Sequence, residues 1–365
     1  MRKNVNFNKK VAVGMSGGVD SSVAAYLLMK AGYEVEGIFM KNWEEDDKEE
    51  CNSKRDYEYA QKICKHLQIK LHLVNFSDKY WENVFESFIS DLKKGYTPNP
   101  DVFCNKEIKF NQFYKYALSL GFDMIATGHY AKKEYLQNVQ LHIPKDKVKD
   151  QTYFLYMMNK EVLEKTLFPL ENLEKFEVKS IASKMNLGLE DKKESMGICF
   201  IGKRKFSSFI DEYVKPIEGP IVDYESNKEI SNHQGLSKYT IGQRKGINIG
   251  GMKNANELPW YVIDKQITTN TLIVSQNQSP LFYTGKIELD NINIINNEVI
   301  ERNIKVRFRH GGALKDCILN KHKNKYSITL NEEERGIAQG QAAVFYNGTE
   351  CIGGGTVISK CLKKN

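Results

Sequence analysis

Residues 11–22 read VAVGMSGGVDSS. The apolar run Val11–Val13 fits a buried parallel strand that ends at Gly14. From Ser21 to Gly32 the residues Val23, Tyr26, Leu27 and Met29 recur at helical spacing, with Gly32 as a stop. Ser16–Ser22 therefore turns a strand into a helix. At such a turn the backbone N–H groups of Ser16, Gly17, Gly18 and Val19, with the positive end of the helix, form a cradle for an anion, and glycine lets the backbone come close. A Walker A loop needs a lysine in GxxxxGK[ST] spacing, and none stands here; GxGxxG is absent too. The plain alternative is a tight turn in any doubly wound sheet.

Further strands are predicted at Glu34–Met40, at Lys70–Phe76 after a helix over Tyr57–Leu67, and at Asp123–Thr127. Strand and helix alternate, which predicts an α/β, doubly wound parallel sheet with helices on both faces. Ligands of such sheets bind beyond the carboxyl ends of the strands, where Met40 and Gly128 lie. Ordinary core packing would also suit Met40.

At about 150 residues per domain, a chain of 365 residues implies two or three units. Apolar content of 41% and the lack of any run of roughly 18 apolar residues point to a soluble protein without a membrane span. MRKNVNFNKK has no apolar stretch before the first strand, so a cytoplasmic location is expected. The cysteines at 51, 64, 104, 199, 317, 351 and 361 are odd in number and form no CxxC pair. That favours reduced thiols and leaves no metal site expected. The net charge of +7 permits a polyanionic partner without demanding one.

GYTPNPDVFCNKEIKF, residues 95–110, reads as a rigid Pro-containing loop with a new helix opening at Lys106. Cys104 then lies just ahead of that helix, biased toward thiolate by its N-terminus and by Lys106 and Lys109, in a poor place for burial. Cys199, in GICFI, reads by itself as part of a short buried strand. From Lys203 the pattern changes: KFSSFIDEYV is an amphipathic helix, EGPIVDYESNKEI and HQGLSKYTIGQRKGINIGG are short strands broken by Gly and Pro, and SQNQSP is a polar break. Tyr239, Gln243, Arg244 and Lys245 suit either an RNA backbone or a solvated turn. Beyond the break, ITL, AAVFY and CIGGGTVI suggest a β-barrel. In IKVRFRHGG, Arg307 and Arg309 alternate with Val306 and Phe308, giving one cationic strand face.

SGGVDS resembles the pyrophosphate loop of the N-type ATP pyrophosphatases. SGGVDSSVAA, TPNPDVFCN, IATGHYA, KDQTYFL, SMGICFIG, YTIGQRKG and PWYVI occur in that order over nearly the whole chain, which is similar to the tRNA-specific 2-thiouridylases. The resemblance implies an ATP pyrophosphatase domain over residues 1–205, a small β-rich domain over 206–275 and a tRNA-binding β-barrel over 276–365. It implies ATP contacts at Gly14, Met15, Ser16, Gly17, Gly18, Val19, Asp20, Ser21, Met40 and Gly128, with Mg²⁺ accompanying the pyrophosphate through Asp20. Cys199 corresponds to the residue that carries a persulfide, and Cys104 to its partner nucleophile. Asn99, Pro100 and Asp101 match the segment that meets the target base. His129, Lys149, Asp150, Gln151, Arg307, Phe308 and Gln341 match contacts to the tRNA, taken through its anticodon stem-loop. A persulfide donor protein, either a cysteine desulfurase or a relay protein, is the further partner implied.

On the residues alone His129 would be structural, KVKDQ a charged loop, Asp101 an Asx-turn residue and Phe308 core filling. An amide-forming ATP pyrophosphatase acting on a small molecule, a non-enzymatic tRNA-binding protein, and an iron–sulfur cluster on Cys104, Cys199 and Asp101 remain as alternatives.

Overall fold

The computed structural model describes residues 9–44, 52–187, 206–247, 249, 258–276, 282–296, 303–323 and 325–360. The first sheet contains β1 (Lys10–Gly14), β2 (Glu34–Lys41), β3 (Leu71–Asn75) and β4 (Met124–Ala126). A hairpin follows, β5 (Lys132–Tyr135) and β6 (Val139–His142), and then the short β7 (Thr166–Leu167) completes the sheet in the order β3-β2-β1-β4-β7, all parallel.

Alternation along β1 explains why its whole apolar run is buried. Ala12, with Ile38 and Ile125, packs into the layer formed by helices between residues 77 and 119. Val11 and Val13 point the other way, against the helices Val19–Lys30 and Asn52–Leu67. A strand covered on both faces reads as a continuous apolar run. The chain builds outward from β1 to β2 and β3, then returns to place β4 on the other side of β1. That reversal opens the crevice at which α/β sheets bind ligands.

The second sheet comprises β8 (Gly219–Asp223), β9 (Glu229–His233), β10 (Tyr261–Gln266) and β11 (Thr271–Ser275), in the order β10-β11-β8-β9. HQGLSKYTIGQRKG is not strand as expected. It is a short 3₁₀ turn at Leu236–Lys238 and irregular chain, because Gly235, Gly242 and Gly246 all have left-handed φ, at 107°, 86° and 77°. Tyr239 and Ile241 still pack inward. The helix Phe206–Asp211 docks on the first domain through rings: Phe209 meets Trp43 and Phe85 at 6.1 and 5.9 Å, and Tyr213 meets Phe85 at 4.7 Å.

The third unit is a six-stranded antiparallel barrel: β12 (Tyr283–Ile294), β13 (Asn303–Arg307), β14 (Lys315–His322), β15 (Lys325–Arg335), β16 (Ala342–Asn347) and β17 (Glu350–Lys360). It runs β12-β15-β14-β13-β16-β17, closed by β12 on β17. Ala343 and Phe345 point into the barrel, whereas Ala342, Val344 and Tyr346 point outward into the core of the first domain. The hairpin β5–β6 extends the barrel sheet by pairing Leu141 and His142 with Cys351 and Glu350. Gly354 is required at this joint, since a Cβ there would lie 2.7 Å from the Tyr156 ring and 2.6 Å from the Ala343 carbonyl oxygen.

An ion pair crosses the same joint. Arg307 Nη1 donates to Asp150 Oδ2 at 2.6 Å, with the side chains 11% and 2% exposed. Asp150 Oδ1 accepts from the Thr152 N–H and hydroxyl at 3.0 and 2.7 Å, and the Tyr153 hydroxyl donates to the Phe308 carbonyl at 2.9 Å. Removing one member of such a pair strands a buried charge. Asp150→Ala and Arg307→Ala are each expected to cost about 3–5 kcal/mol by chemical denaturation. A loss near zero for both would show that the pair does not hold the barrel to the first domain.

Candidate active site

The turn after β1 has the geometry its sequence predicts. Gly17 sits at φ 69°, and a Cβ there would stand 2.3 Å from the Asp56 carbonyl oxygen, so glycine is needed for both conformation and space. Ser21 Oγ accepts from the Ser16 N–H at 3.3 Å and donates to the Gly18 carbonyl at 3.1 Å, and Ser22 Oγ donates to the same carbonyl at 2.7 Å. These bonds fold the loop over the start of the helix Val19–Lys30. Gly18 is the N-cap and supplies no side-chain acceptor, which leaves the positive end of a twelve-residue helix facing the loop.

Met15 turns its side chain into the core and donates its N–H to the Ile38 carbonyl at 2.9 Å, so it can face the crevice only through its backbone. Met40 is half-buried with its methyl over Gly14, where an added Cβ would lie 3.3 Å away; the core and crevice readings of Met40 meet at this contact. Gly128 presses on the loop itself. A Cβ at Gly128 would stand 2.7 Å from Ser21 N and 2.8 Å from the Asp20 carbonyl carbon.

Asp20, in the first turn of that helix, is held from two distant segments. Lys175 Nζ lies 2.8 Å from both of its carboxylate oxygens, and the Tyr130 hydroxyl donates to Oδ1 at 3.0 Å. Sequence reading missed both partners. Neither lies in a recognisable motif with Asp20, and only the fold joins them.

The segment bearing Cys104 corrects an expectation. Helix begins at Pro100, not Lys106, and continues through a wide turn at Cys104–Gln112 into Phe113–Ser119. Asn99 is the N-cap: its Oδ1 accepts from the Asp101 and Val102 N–H groups at 3.1 and 3.4 Å. Pro100 occupies the first helical position, where its missing N–H costs nothing. Cys104 therefore lies past the first turn, beyond the strongest pull of the helix dipole, and it is 1% exposed rather than in an open loop. The Asx capping role belongs to Asn99, not Asp101. Burial raises the Asp101 carboxyl above its ordinary value, opposed by Lys109 and by His310 from the barrel.

Two contacts lead from this helix toward the phosphate-type loop. Phe113 lies beside Gly14. Lys109 Nζ is 3.4 Å from His129 Nε2, and His129 Nδ1 is 2.8 Å from Thr127 Oγ1. His129 follows Gly128, which touches Asp20 and Ser21. Burial, and then the Lys109 ammonium, hold His129 well below 6.5, so it is a neutral imidazole at neutral pH.

The remaining expected residues fall around the joint with the barrel. Asp150 and Arg307 are spent on each other, and the Arg307 guanidinium also lies 5.0 Å from the Tyr346 ring centroid. Gln151 Oε1 accepts from the Tyr130 N–H at 2.9 Å, and Gln341 Oε1 accepts from the Ala338 N–H at 2.9 Å. Lys149 is half-buried and donates its N–H to Asp146 Oδ1 at 3.1 Å. Phe308 fills the barrel core. Arg309 donates to the Gly336 carbonyl at 2.9 Å, so the expected cationic face is largely folded back on the protein. His310, which the sequence did not single out, donates from Nε2 to the Asp150 carbonyl at 2.9 Å, and its ring lies 4.7 Å from that of Phe154. Cys199 and the rest of SMGICFIG lie outside the described residues.

Residues 9–203 match a family model described as a tRNA methyl transferase HUP domain, residues 207–276 a tRNA methyl transferase PRC-barrel domain, and residues 284–357 an aminomethyltransferase β-barrel domain. Over 356 residues the chain is 48% identical to the tRNA-specific 2-thiouridylase MnmA of Pseudomonas fluorescens, covering 96% of this chain and 94% of that one. Over 362 residues it is 49% identical to the protein of the same name from Blochmanniella floridana, covering 96% and 97%.

Two outcomes follow from the geometry. Gly128→Ala must push the loop away from β4, and nucleotide titration should show affinity reduced about five- to a hundredfold, matching an overpacking cost of about 1–3 kcal/mol; undiminished affinity would place the nucleotide elsewhere. His129 has a folded pKa below its unfolded value of 6.5, so its contribution to stability is complete above that pH and is lost as pH falls through the window beneath it. Melting temperature should drop on acidification from pH 7 to 5, with a shallower slope in His129→Gln. Equal slopes would mean that His129 titrates normally.

Proposed function

The chain belongs to the tRNA-specific 2-thiouridylases, enzymes that thiolate a tRNA uridine at the expense of ATP, and we propose that it exchanges oxygen for sulfur at C2 of the wobble uridine, using the loop Ser16–Ser21 and the thiols of Cys104 and Cys199. The contact that supports this most directly is Lys109 against His129, with Gly128 against Asp20 and Ser21. It supports reading the Cys104 helix and the loop Ser16–Ser21 as two walls of one crevice.

The chemistry explains why both parts are needed. Oxide is a very poor leaving group, so O2 of the uracil must first be improved. O2 attacks the α-phosphorus of ATP, the bond from that phosphorus to the bridging oxygen breaks, and the electron pair departs on pyrophosphate. The positive end of the helix Val19–Lys30, at the loop, receives that charge. Asp20 is the one carboxylate of the loop, which suits Mg²⁺, an ion commonly held by one or two carboxylates plus substrate phosphates; it would neutralise charge on the phosphates there.

Sulfur then replaces AMP at C2. The terminal sulfur of a Cys199 persulfide carries the new bond, and Cys104 closes a disulfide on Cys199 Sγ as the old S–S bond breaks. A thiol reductant must reopen that disulfide before the next turnover. Thiolates and persulfides are strong nucleophiles at neutral pH, which is the reason for cysteine in this role.

The base must leave its stack to reach the crevice. Asn99–Asp101, at the start of the Cys104 helix, is the segment that receives it, with Asp101 hydrogen-bonding the uracil edge. His129 in the crevice, and Lys149 and Gln341 around the joint with the barrel, contact the tRNA, while Asp150, Gln151, Arg307 and Phe308 shape that joint from within. A persulfide donor protein, a desulfurase or a relay, loads Cys199. A synthetase that forms amides on a small molecule would need neither thiol.

Incubation with ATP, Mg²⁺, unmodified tRNA and a persulfide donor should yield 2-thiouridine on nucleoside analysis with the wild type, and none with Cys104→Ser or Cys199→Ser. Full thiolation by either variant would remove the two-thiol mechanism.

A further inference from the structure

The loop Ser16–Ser22 carries no lysine of its own, yet an ammonium reaches it from 155 residues away. Lys175 opens the helix Lys175–Lys184, and its side chain is only 13% exposed. That helix is locked against the helix of the loop, with Val178 and Ala182 packed on Val23 and Ala24. Its first turn is pinned as well. The Glu174 N–H donates to Glu177 Oε2 at 2.7 Å and the Lys175 N–H donates to Asp146 Oδ2 at 2.8 Å. The backbone of Lys175 is therefore fixed beside the cradle, and its stem is aimed at it.

A carboxylate in the first turn of a helix that must receive a phosphate creates a conflict, because two anions meet at close range. Lys175 resolves it by sitting across both oxygens of Asp20, with the Tyr130 hydroxyl on one of them and the Tyr130 ring 5.7 Å from the ammonium. An ammonium is a compact charge on a flexible four-carbon stem, able to turn between neighbouring acceptors without moving its backbone. In loops of the GxxxxGK[ST] kind the lysine that binds the terminal phosphates comes from the loop itself.

We propose that Lys175 supplies that function here from a distant helix: it is shared between Asp20 and the departing pyrophosphate, binding an oxygen of that group and stabilising the negative charge it gains as the bond to the α-phosphorus breaks. This rests on the reading of Ser16–Ser21 as the pyrophosphate site.

The test is titration of the full-length protein with inorganic pyrophosphate, with AMP as control, for wild type, Lys175→Met, Asp20→Asn and the double variant Asp20→Asn/Lys175→Met. Lys175→Met should weaken pyrophosphate binding about ten- to a hundredfold, the range for one charge-assisted contact, while AMP binding is unchanged. The double variant removes both charges together, so it leaves no stranded partner and keeps the test available if Lys175→Met alone fails to fold. It should bind pyrophosphate more weakly than Asp20→Asn by a similar factor. Equal binding by Asp20→Asn and the double variant would overturn the proposal, leaving Lys175 as a mere counterion of Asp20. A wild type that does not bind pyrophosphate would remove the loop reading itself, and the role of Lys175 with it.

Discussion

The close approach of Gly128 to the start of the first helix is the constraint on which the site depends. With less than 3 Å between the space for its Cβ and the backbone of Asp20 and Ser21, the end of β4 and the loop after β1 form one surface. Gly128 is followed by His129, whose ring touches Lys109 on the helix of Cys104. A single missing methyl thus sets the distance between an anion cradle and a thiol-bearing helix.

The barrel is tied to this crevice by packing more than by charge. Strand β16 is apolar on both faces because Ala343 and Phe345 fill the barrel while Ala342, Val344 and Tyr346 fill the first domain. The hairpin β5–β6 then continues the barrel sheet by hydrogen bonds. The Arg307–Asp150 pair adds direction to that apolar contact, since each charge meets its opposite only when the two units meet in this register. Burying both charges costs desolvation that their attraction roughly offsets, so the pair specifies the arrangement more than it strengthens it.

The parts of the fold legible in the sequence were those with local signatures. The run VAV, the glycines at 17 and 18 and the stop at Gly32 fix β1, the loop and its helix from short-range sterics. The alternation of Val306 and Phe308 with Arg307 and Arg309 correctly separates inside from outside. What the alternation does not contain is the identity of the neighbour: Asp150 meets Arg307 across 157 residues, and Lys175 meets Asp20 across 155. TPNPD reads as a loop because two prolines break helices, although Asn99 before Pro100 is equally the signature of a helix start. The choice between the two is made by the core around Val102, Cys104 and Ile108, which is assembled from distant segments.

Burial also sorts the thiols. Desolvation pushes Cys64 and Cys317 up to about 12, and raises Cys351 still further, so each remains protonated and unreactive at neutral pH. Each lies in a core away from the loop: Cys64 under the first sheet, Cys317 inside the barrel and Cys351 at the joint. Cys104 is as deeply covered, in the core with Val102, Ile108 and Phe110, but its helix also carries Asp101, next to its start, and Lys109, which meets His129.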